Sequence, residues 1–141
     1  MGIFKKNFEG NSISQLYFMS PERIAGRLPK DTDEAKASDL WSVGVIMYLL
    51  ISGTPPFTGN NVEDVCDRIT KGEFLFVGNE WNNLVEAKQL IDELMKFESG
   101  ERIDASAALN HQFFRNLVMN QGSKEKEKKR ELKTFDGFCD F

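Results

Sequence analysis

The feature that most constrains this chain is an unbroken run of apolar residues at 43–51, which Ser38-Asp39 precedes and Gly53 follows. Ser38 or Asp39 is suited to cap the free amides of a first helical turn, and Gly53 favours a left-handed C-cap. Pro55 cannot continue a helix, so the pattern predicts a helix at about residues 39–52. A helix that is apolar on all faces is expected to be buried, and the apolar run is shorter than the ~20 residues that a bilayer requires. We therefore expect the core helix of a soluble domain.

The balance of charge excludes some classes of partner. The net charge of the 141 residues is −4, but residues 124–133 carry six basic and three acidic side chains, which leaves −7 on the rest. A surface that binds nucleic acid needs clustered Lys and Arg, so we expect no nucleic-acid partner. The acidic remainder is compatible with a basic protein or peptide.

Cysteine and histidine usage points away from metal or disulfide chemistry. Cys66, Cys139 and His111 supply neither a disulfide framework nor the spacing of a metal site. The N-terminal residues contain no apolar signal segment, so we expect no membrane association. The default expectation is a cytoplasmic protein.

Three further segments have helical periodicity. Asn61 is positioned to cap the first, in which Val62, Val65, Cys66 and Ile69 recur on one face before Gly72. The second has Ala87, Leu90, Ile91, Leu94 and Met95 on one face, and the third is a short segment that follows Asp104. Residues 74–76 and Trp81 are apolar but too few for a strand. The chain is therefore predicted to be mostly α, with one domain over residues 1–118 and a charged, flexible tail over residues 119–141.

Several short motifs follow one another in a diagnostic order. They are Met19-Ser20-Pro21-Glu22, Asp39-Leu40-Trp41-Ser42-Val43-Gly44, Gly53-Thr54-Pro55-Pro56-Phe57, Lys71-Gly72-Glu73-Phe74, Arg102-Ile103 and Leu109-Asn110-His111. The ordered set, from about residue 2 to residue 117, resembles the helical C-terminal lobe of a eukaryotic serine/threonine protein kinase. The first motif is similar to the Ala-Pro-Glu that closes the activation segment. The Pro-Pro-Phe, Lys-Gly-x-Phe and Leu-Asn-His elements are most similar to those of calmodulin-regulated and calcium-dependent kinases.

The resemblance implies roles for six residues. Glu22 and Arg102 would form a buried structural ion pair. Asp39 would accept hydrogen bonds from the backbone of the catalytic loop. Leu16 and Met19 would line the pocket for the residue after the phosphoacceptor, and Asp67 would face a basic substrate. The plainer alternatives are two unrelated surface charges for the pair, an ordinary helix cap for Asp39, and an ordinary solvent-facing side chain for Asp67.

The catalytic motifs of the family do not occur in the sequence. It contains no Gly-rich loop, no counterpart of the family's phosphate-binding Lys and its Glu partner, no His-Arg-Asp loop and no Asp-Phe-Gly. Residues 2–6 resemble the sequence that begins at the glycine of Asp-Phe-Gly. We therefore expect a truncated kinase from which the N-terminal half, including the catalytic loop, is missing. Ser14-Gln15 also departs from the Gly-Thr of the family. The chain alone is therefore expected to have no catalytic residue, no metal site and no cofactor, whereas an intact parent would use ATP and Mg²⁺.

Two functions remain open at this stage. The first is the substrate-binding lobe of a kinase that transfers the ATP γ-phosphate to protein Ser or Thr when joined to its missing half. The second is a non-catalytic, pseudokinase-like interaction module. In a whole lobe a preceding helix and loop would cover the central helix, so part of residues 41–51 is expected to be bare and to promote self-association.

Overall fold

A computed structural model describes residues 13–117, which form helices and contain no strand. The α-helices are α1 Ile13–Leu16, α2 Pro21–Ile24, α3 Thr32–Ser52, α4 Val62–Lys71, α5 Val85–Leu94 and α6 Ala105–Leu109, with 3₁₀ turns at Asn79–Trp81 and Ser99–Glu101. The predicted mostly α fold is confirmed.

The long helix α3 begins earlier than the sequence predicts. Its N-cap is Asp31, whose carboxylate accepts hydrogen bonds from the backbone N–H groups of Asp33 and Glu34 at 3.0 and 2.9 Å. The prediction that Ser38 or Asp39 caps the helix is therefore wrong, because the polar segment 32–38 adds seven residues to the helix. The C-terminal prediction is confirmed: Gly53 has a φ of 74° and its N–H donates to the Leu49 carbonyl at 2.8 Å.

Burial of α3 is one-sided. Trp41 and Val45 are fully buried, whereas Val43, Ile46 and Leu50 are 43%, 44% and 80% exposed. The prediction that α3 is buried on all faces is wrong for these three residues. The expectation that part of residues 41–51 is bare is confirmed.

Gly44 sets the close approach of α3 and α5. A Cβ at position 44 would lie 2.5 Å from Met95 Cγ and 3.1 Å from Leu94 Cβ, so a side chain there would force the two segments apart. Leu90, Ile91 and Leu94 of α5 are buried. The two helices thus form the centre of the core.

Aromatic rings fill the other side of the core. Trp41 stacks on Phe57 with ring centroids 5.8 Å apart, and Tyr48 packs on Trp81 at 4.8 Å. The Tyr48 hydroxyl donates to the Leu75 carbonyl at 2.7 Å. This bond fixes the irregular segment between α4 and the first 3₁₀ turn against α3.

Two of the shorter helices, α4 and α6, use the caps that their sequences indicate. The Asn61 side chain accepts from the Asp64 N–H at 2.9 Å, and α4 ends at Gly72, which has a φ of 67°. The Asp104 carboxylate accepts from the Ala107 N–H at 2.8 Å at the start of α6. All three predicted segments are helical.

The described residues divide into two compact units between Ala108 and Leu109. The core described above belongs to the first unit. In the second unit, residues 112–117 are helical and the His111 ring accepts a hydrogen bond from the Phe113 N–H. The predicted tail at 119–141 lies outside the described residues, and the predicted division after residue 118 remains a prediction.

With 21 residues, α3 is long and apolar enough to cross a membrane when judged by length and composition only. Core helices of soluble proteins pass the same test, so this is weak evidence for a membrane span. The packing of α3 on α5 is that of a core helix.

Candidate functional site

The first element of the site is an ion pair between Glu22 of α2 and Arg102, which follows the second 3₁₀ turn. Arg102 Nη1 and Nη2 donate to Glu22 Oε1 and Oε2, each at 2.7 Å. The Arg102 side chain has no exposed surface and that of Glu22 is 15% exposed. The contact is bidentate, which is the strongest geometry for a guanidinium and a carboxylate.

The remaining donors of Arg102 bind backbone carbonyls. Nε donates to Lys96 at 2.8 Å, Nη1 to Ala37 at 3.0 Å and Nη2 to Phe97 at 3.0 Å. All five N–H groups of the guanidinium are therefore used. The guanidinium carbon also lies 5.1 Å from the ring centroid of Trp41, within the range of a cation–π contact. Arg102 thus links α2, α3 and the segment after α5.

Two serines extend this network. The Ser38 hydroxyl donates to Glu22 Oε1 at 2.7 Å, and the Ser20 hydroxyl donates to Ser38 at 3.2 Å. Burial raises the pKa of the Glu22 carboxyl, but the hydrogen bonds from Arg102 and Ser38 outweigh burial and lower its pKa to about 2. Glu22 is therefore ionised at every physiological pH.

The second element is a cleft beside the ion pair. It has a volume of about 440 Å³, and its walls include Met19, Ser20, Asp39 and Ser42. Ser42 donates to the Phe18 carbonyl at 2.8 Å, which holds the segment before α2 on α3. The carboxylate of Asp39 is exposed and takes part in no ion pair within residues 13–117.

The structure brings together some of the residues that the sequence singles out. Glu22 and Arg102 are in contact, and Met19 and Asp39 line one cleft. Leu16 is fully buried in the core and is not among the residues that line the cleft. Asp67 is exposed on α4 and does not line the cleft.

Sequence reasoning missed the serines of the site. Ser38 and Ser42 are four residues apart and so lie on one face of α3, the face that meets Glu22 and Phe18. Polar residues at this spacing, at the start of an otherwise apolar helix, were the signal that could have found them.

A nucleotide and its metal ion require phosphate-binding motifs and metal-ligating side chains. Within residues 13–117 no three His, Cys, Asp or Glu side chains come together in a group that could hold a metal ion. The motifs that cradle the phosphates are absent from the sequence. These residues do not fit Mg-ATP, and we assign no chemical step to them.

The fold, the ion pair and the motif order define a class of protein. Residues 5–114 match the family model of the protein kinase domain. The chain belongs to the protein kinase family. An intact enzyme of this family uses ATP and Mg²⁺ and acts on protein substrates.

Within the family, the chain is similar to calcium-dependent protein kinases, as the motifs predict. It is 40% identical over 99 residues to calcium-dependent protein kinase 5 of Plasmodium berghei, and 37% identical over 111 residues to the protein of the same name in Plasmodium falciparum. It is 33% identical over 126 residues to calcium-dependent protein kinase 3 of Plasmodium yoelii yoelii. These alignments cover 70%, 74% and 89% of this chain but only 16%, 18% and 22% of the relatives.

A solved structure supports the fold. The twitchin kinase region from C. elegans superposes with a TM-score of 0.65 at 24% identity, over 73% of this chain and 18% of that chain. At this identity the likeness shows the fold alone.

Proposed function

We propose that this chain is the substrate-binding lobe of a serine/threonine protein kinase, which transfers the ATP γ-phosphate to protein Ser or Thr when a catalytic loop and a nucleotide site are supplied to it. The observation that carries the proposal is the Glu22–Arg102 ion pair beside a cleft whose walls include Met19 and Asp39. The ion pair fixes the segment that ends at Pro21-Glu22, and this segment forms one wall of the cleft.

Each residue of the cleft has a specific role in the proposal. Met19 lines the pocket for the residue after the phosphoacceptor, and its N–H donates to the carbonyl of the buried Leu16 at 3.0 Å. Asp39 accepts hydrogen bonds from the backbone of the catalytic loop, which its exposure and lack of a described ion-pair partner support. Asp67, exposed on α4, faces basic side chains of the substrate.

The exposed face of α3 supports the same proposal. Val43, Ile46 and Leu50 form an apolar surface that water does not favour. The proposal accounts for it as the surface that the remainder of the kinase domain covers. Protein or peptide partners of basic character, without nucleic acid or membrane, and a cytoplasmic location belong to the same proposal.

The experiment compares the chain with a fusion. The chain alone should show no saturable binding of Mg-ATP in calorimetry and should not phosphorylate a basic serine peptide, because the residues that position the phosphates are absent. The segment of the P. berghei relative that precedes its aligned region, fused before Met1, should restore transfer. In that fusion Asp39→Asn should lower kcat by about 10²-fold with a smaller change in KM, as expected for a positioning residue.

A second function rests on the same cleft, whose walls include Met19, Ser20 and Asp39. On this alternative the chain is a non-catalytic module that binds peptides or partner kinases through the same cleft. A folded but inactive fusion, together with a chain that binds peptides by itself, would favour the module over the kinase lobe. Saturable Mg-ATP binding by the chain alone would contradict both.

A further inference from the structure

A small recess adjoins the Glu22 network, since Glu22 and Ser38 are among its lining residues. Its volume is about 50 Å³, and its walls include Arg23, Arg27, Lys30, Glu34, Ser38 and Ser99. This space accommodates roughly four water molecules. It suits a compact group with a few polar atoms and is too small for a sugar or an aromatic ring.

The charges around the recess do not cancel. Glu22 is neutralised by Arg102, and Glu34 accepts from the Lys30 N–H at 2.7 Å and lies 3.5 Å from Lys30 Nζ. Arg23 and Arg27 are exposed, and neither forms an ion pair with a carboxylate in the described part of the chain. After the two internal pairs, two positive charges remain at the recess.

Two arginines that line a small recess and have no described ion-pair partner favour a particular kind of anion. Arg binds carboxylate and phosphate oxygens through paired N–H donors. A phosphate monoester carries a charge of about −1.5 to −2 at neutral pH and presents three acceptor oxygens, so it balances both arginines where a carboxylate balances one.

The recess also adjoins the larger cleft. Arg23, Pro29 and Ser38 line both spaces. A peptide chain in the cleft therefore passes close to the recess.

We propose that the recess formed by Arg23, Arg27 and Lys30 binds the phosphate group of a phosphorylated peptide. The choice of a peptide as the carrier rests on the function proposed above, whereas the preference for phosphate rests on the charges alone.

The test measures binding and needs no catalysis. A short, capped, fluorescent peptide with a central phosphoserine between Ala and Gly residues is titrated with the full chain, beside its unphosphorylated form and a form with Glu in place of phosphoserine. We expect the phosphopeptide to bind at least about tenfold more tightly than either, and inorganic phosphate to displace it only at concentrations well above those at which the phosphopeptide itself competes.

Variants locate the binding. Arg23→Gln with Arg27→Gln should weaken phosphopeptide binding by about tenfold, since both side chains are exposed and their loss leaves the core intact. Glu34→Gln should tighten binding by about threefold, because it removes a negative charge and frees Lys30. The matched control is Arg68→Gln with Lys71→Gln, which removes two exposed charges from α4 and should change binding less than about twofold.

Three results would overturn the proposal. Equal binding of the phosphorylated and Glu peptides would remove the preference for phosphate. Equal losses in the two double variants would show that only net charge matters. Inorganic phosphate that competes as well as the phosphopeptide would show that a free anion, not a peptide, is the ligand. An inactive fusion in the kinase experiment would leave these binding results unchanged, so the two proposals fail separately.

Discussion

The guanidinium of Arg102 and the carboxylate of Glu22 are 80 residues apart in the sequence and meet through two hydrogen bonds of 2.7 Å. Because the side chain of Arg102 has no exposed surface, its charge depends on this partner and on three backbone carbonyls. A buried ion pair of this kind adds little net stability over a well-packed apolar pair, but the loss of one partner leaves a charge without compensation.

The first prediction is that Arg102→Ala lowers the free energy of unfolding by about 3–5 kcal/mol, the usual cost of breaking a buried pair. Chemical denaturation monitored by circular dichroism measures this loss. Arg102→Lys, which keeps the charge but not the paired donors, should lose less and provides a measurable variant if the alanine form does not fold.

The control for this prediction is the exposed ion pair between Lys36 and Asp33, whose nitrogen and oxygen lie 3.0 Å apart. Lys36→Ala should cost no more than about 0.5 kcal/mol, because surface pairs contribute little. Similar losses in Arg102→Ala and Lys36→Ala would show that burial of the Glu22 pair has no energetic consequence.

The second prediction concerns acid stability. The pKa of Glu22 is lowered in the folded chain from 4.5 to about 2, so the unfolded state takes up the proton first as the pH falls. The contribution of Glu22 to stability is therefore complete above pH 4.5 and is lost as the pH falls toward 2. A shift of this size corresponds to about 3 kcal/mol.

Unfolding measured between pH 5 and pH 2.5 checks this expectation. Glu22→Gln should be less stable than the wild type at the upper end of the range and should lose less stability on acidification. Asp33→Asn, at an exposed position of α3, serves as the control and should keep the acid sensitivity of the wild type. An equal loss on acidification in wild type and Glu22→Gln would exclude Glu22 as the source.

The sequence predicts those parts of the fold that depend on local chemistry. The caps of Asn61, Asp104 and Gly53 each involve neighbours within four residues, and all three are present. The start of α3 differs from the prediction because residues 32–38 have no apolar periodicity. Asp31, seven residues before Ser38, is as suitable an N-cap residue as Ser38 or Asp39, so the sequence alone does not decide between these starts.

The parts that could not be predicted depend on which elements pack together. Val43 and Val45 are identical in type, yet the first is 43% exposed and the second is fully buried, because only one face of α3 meets α5 and the aromatic rings. Leu16 of α1 is fully buried in the core, and its pocket role remains a prediction. The family resemblance implied the contact of Glu22 with Arg102, but the Ser38 hydrogen bond required the structure.

The third prediction tests the close approach of α3 and α5. In Gly44→Ala the new Cβ would meet Met95 Cγ at 2.5 Å and overpack the core, which costs about 1–3 kcal/mol. Because Ala gains ~0.5–1 kcal/mol over Gly within a helix, the free energy of unfolding should fall by about 0.5–2 kcal/mol. Gly100→Ala is the matched control, since no atom lies within 4 Å of its new Cβ, and it should be nearly neutral. A stabilised Gly44→Ala variant would show that the two segments separate at little cost.

The fourth prediction follows from the exposed face of α3. Val43, Ile46 and Leu50 recur at spacings of three and four residues, so they form one continuous apolar stripe on the helix. A stripe of this kind favours association in water, and we expect the chain alone to form oligomers whose fraction rises with concentration in sedimentation velocity.

Ile46→Gln with Leu50→Gln should shift the chain toward monomer without loss of helix content, because both side chains project from the core. Leu28→Gln removes an apolar side chain that is 82% exposed outside the stripe and should leave the oligomers unchanged. A wild-type chain that stays monomeric at high concentration would contradict the prediction and would remove the exposed stripe as support for a lobe that the rest of a kinase domain covers.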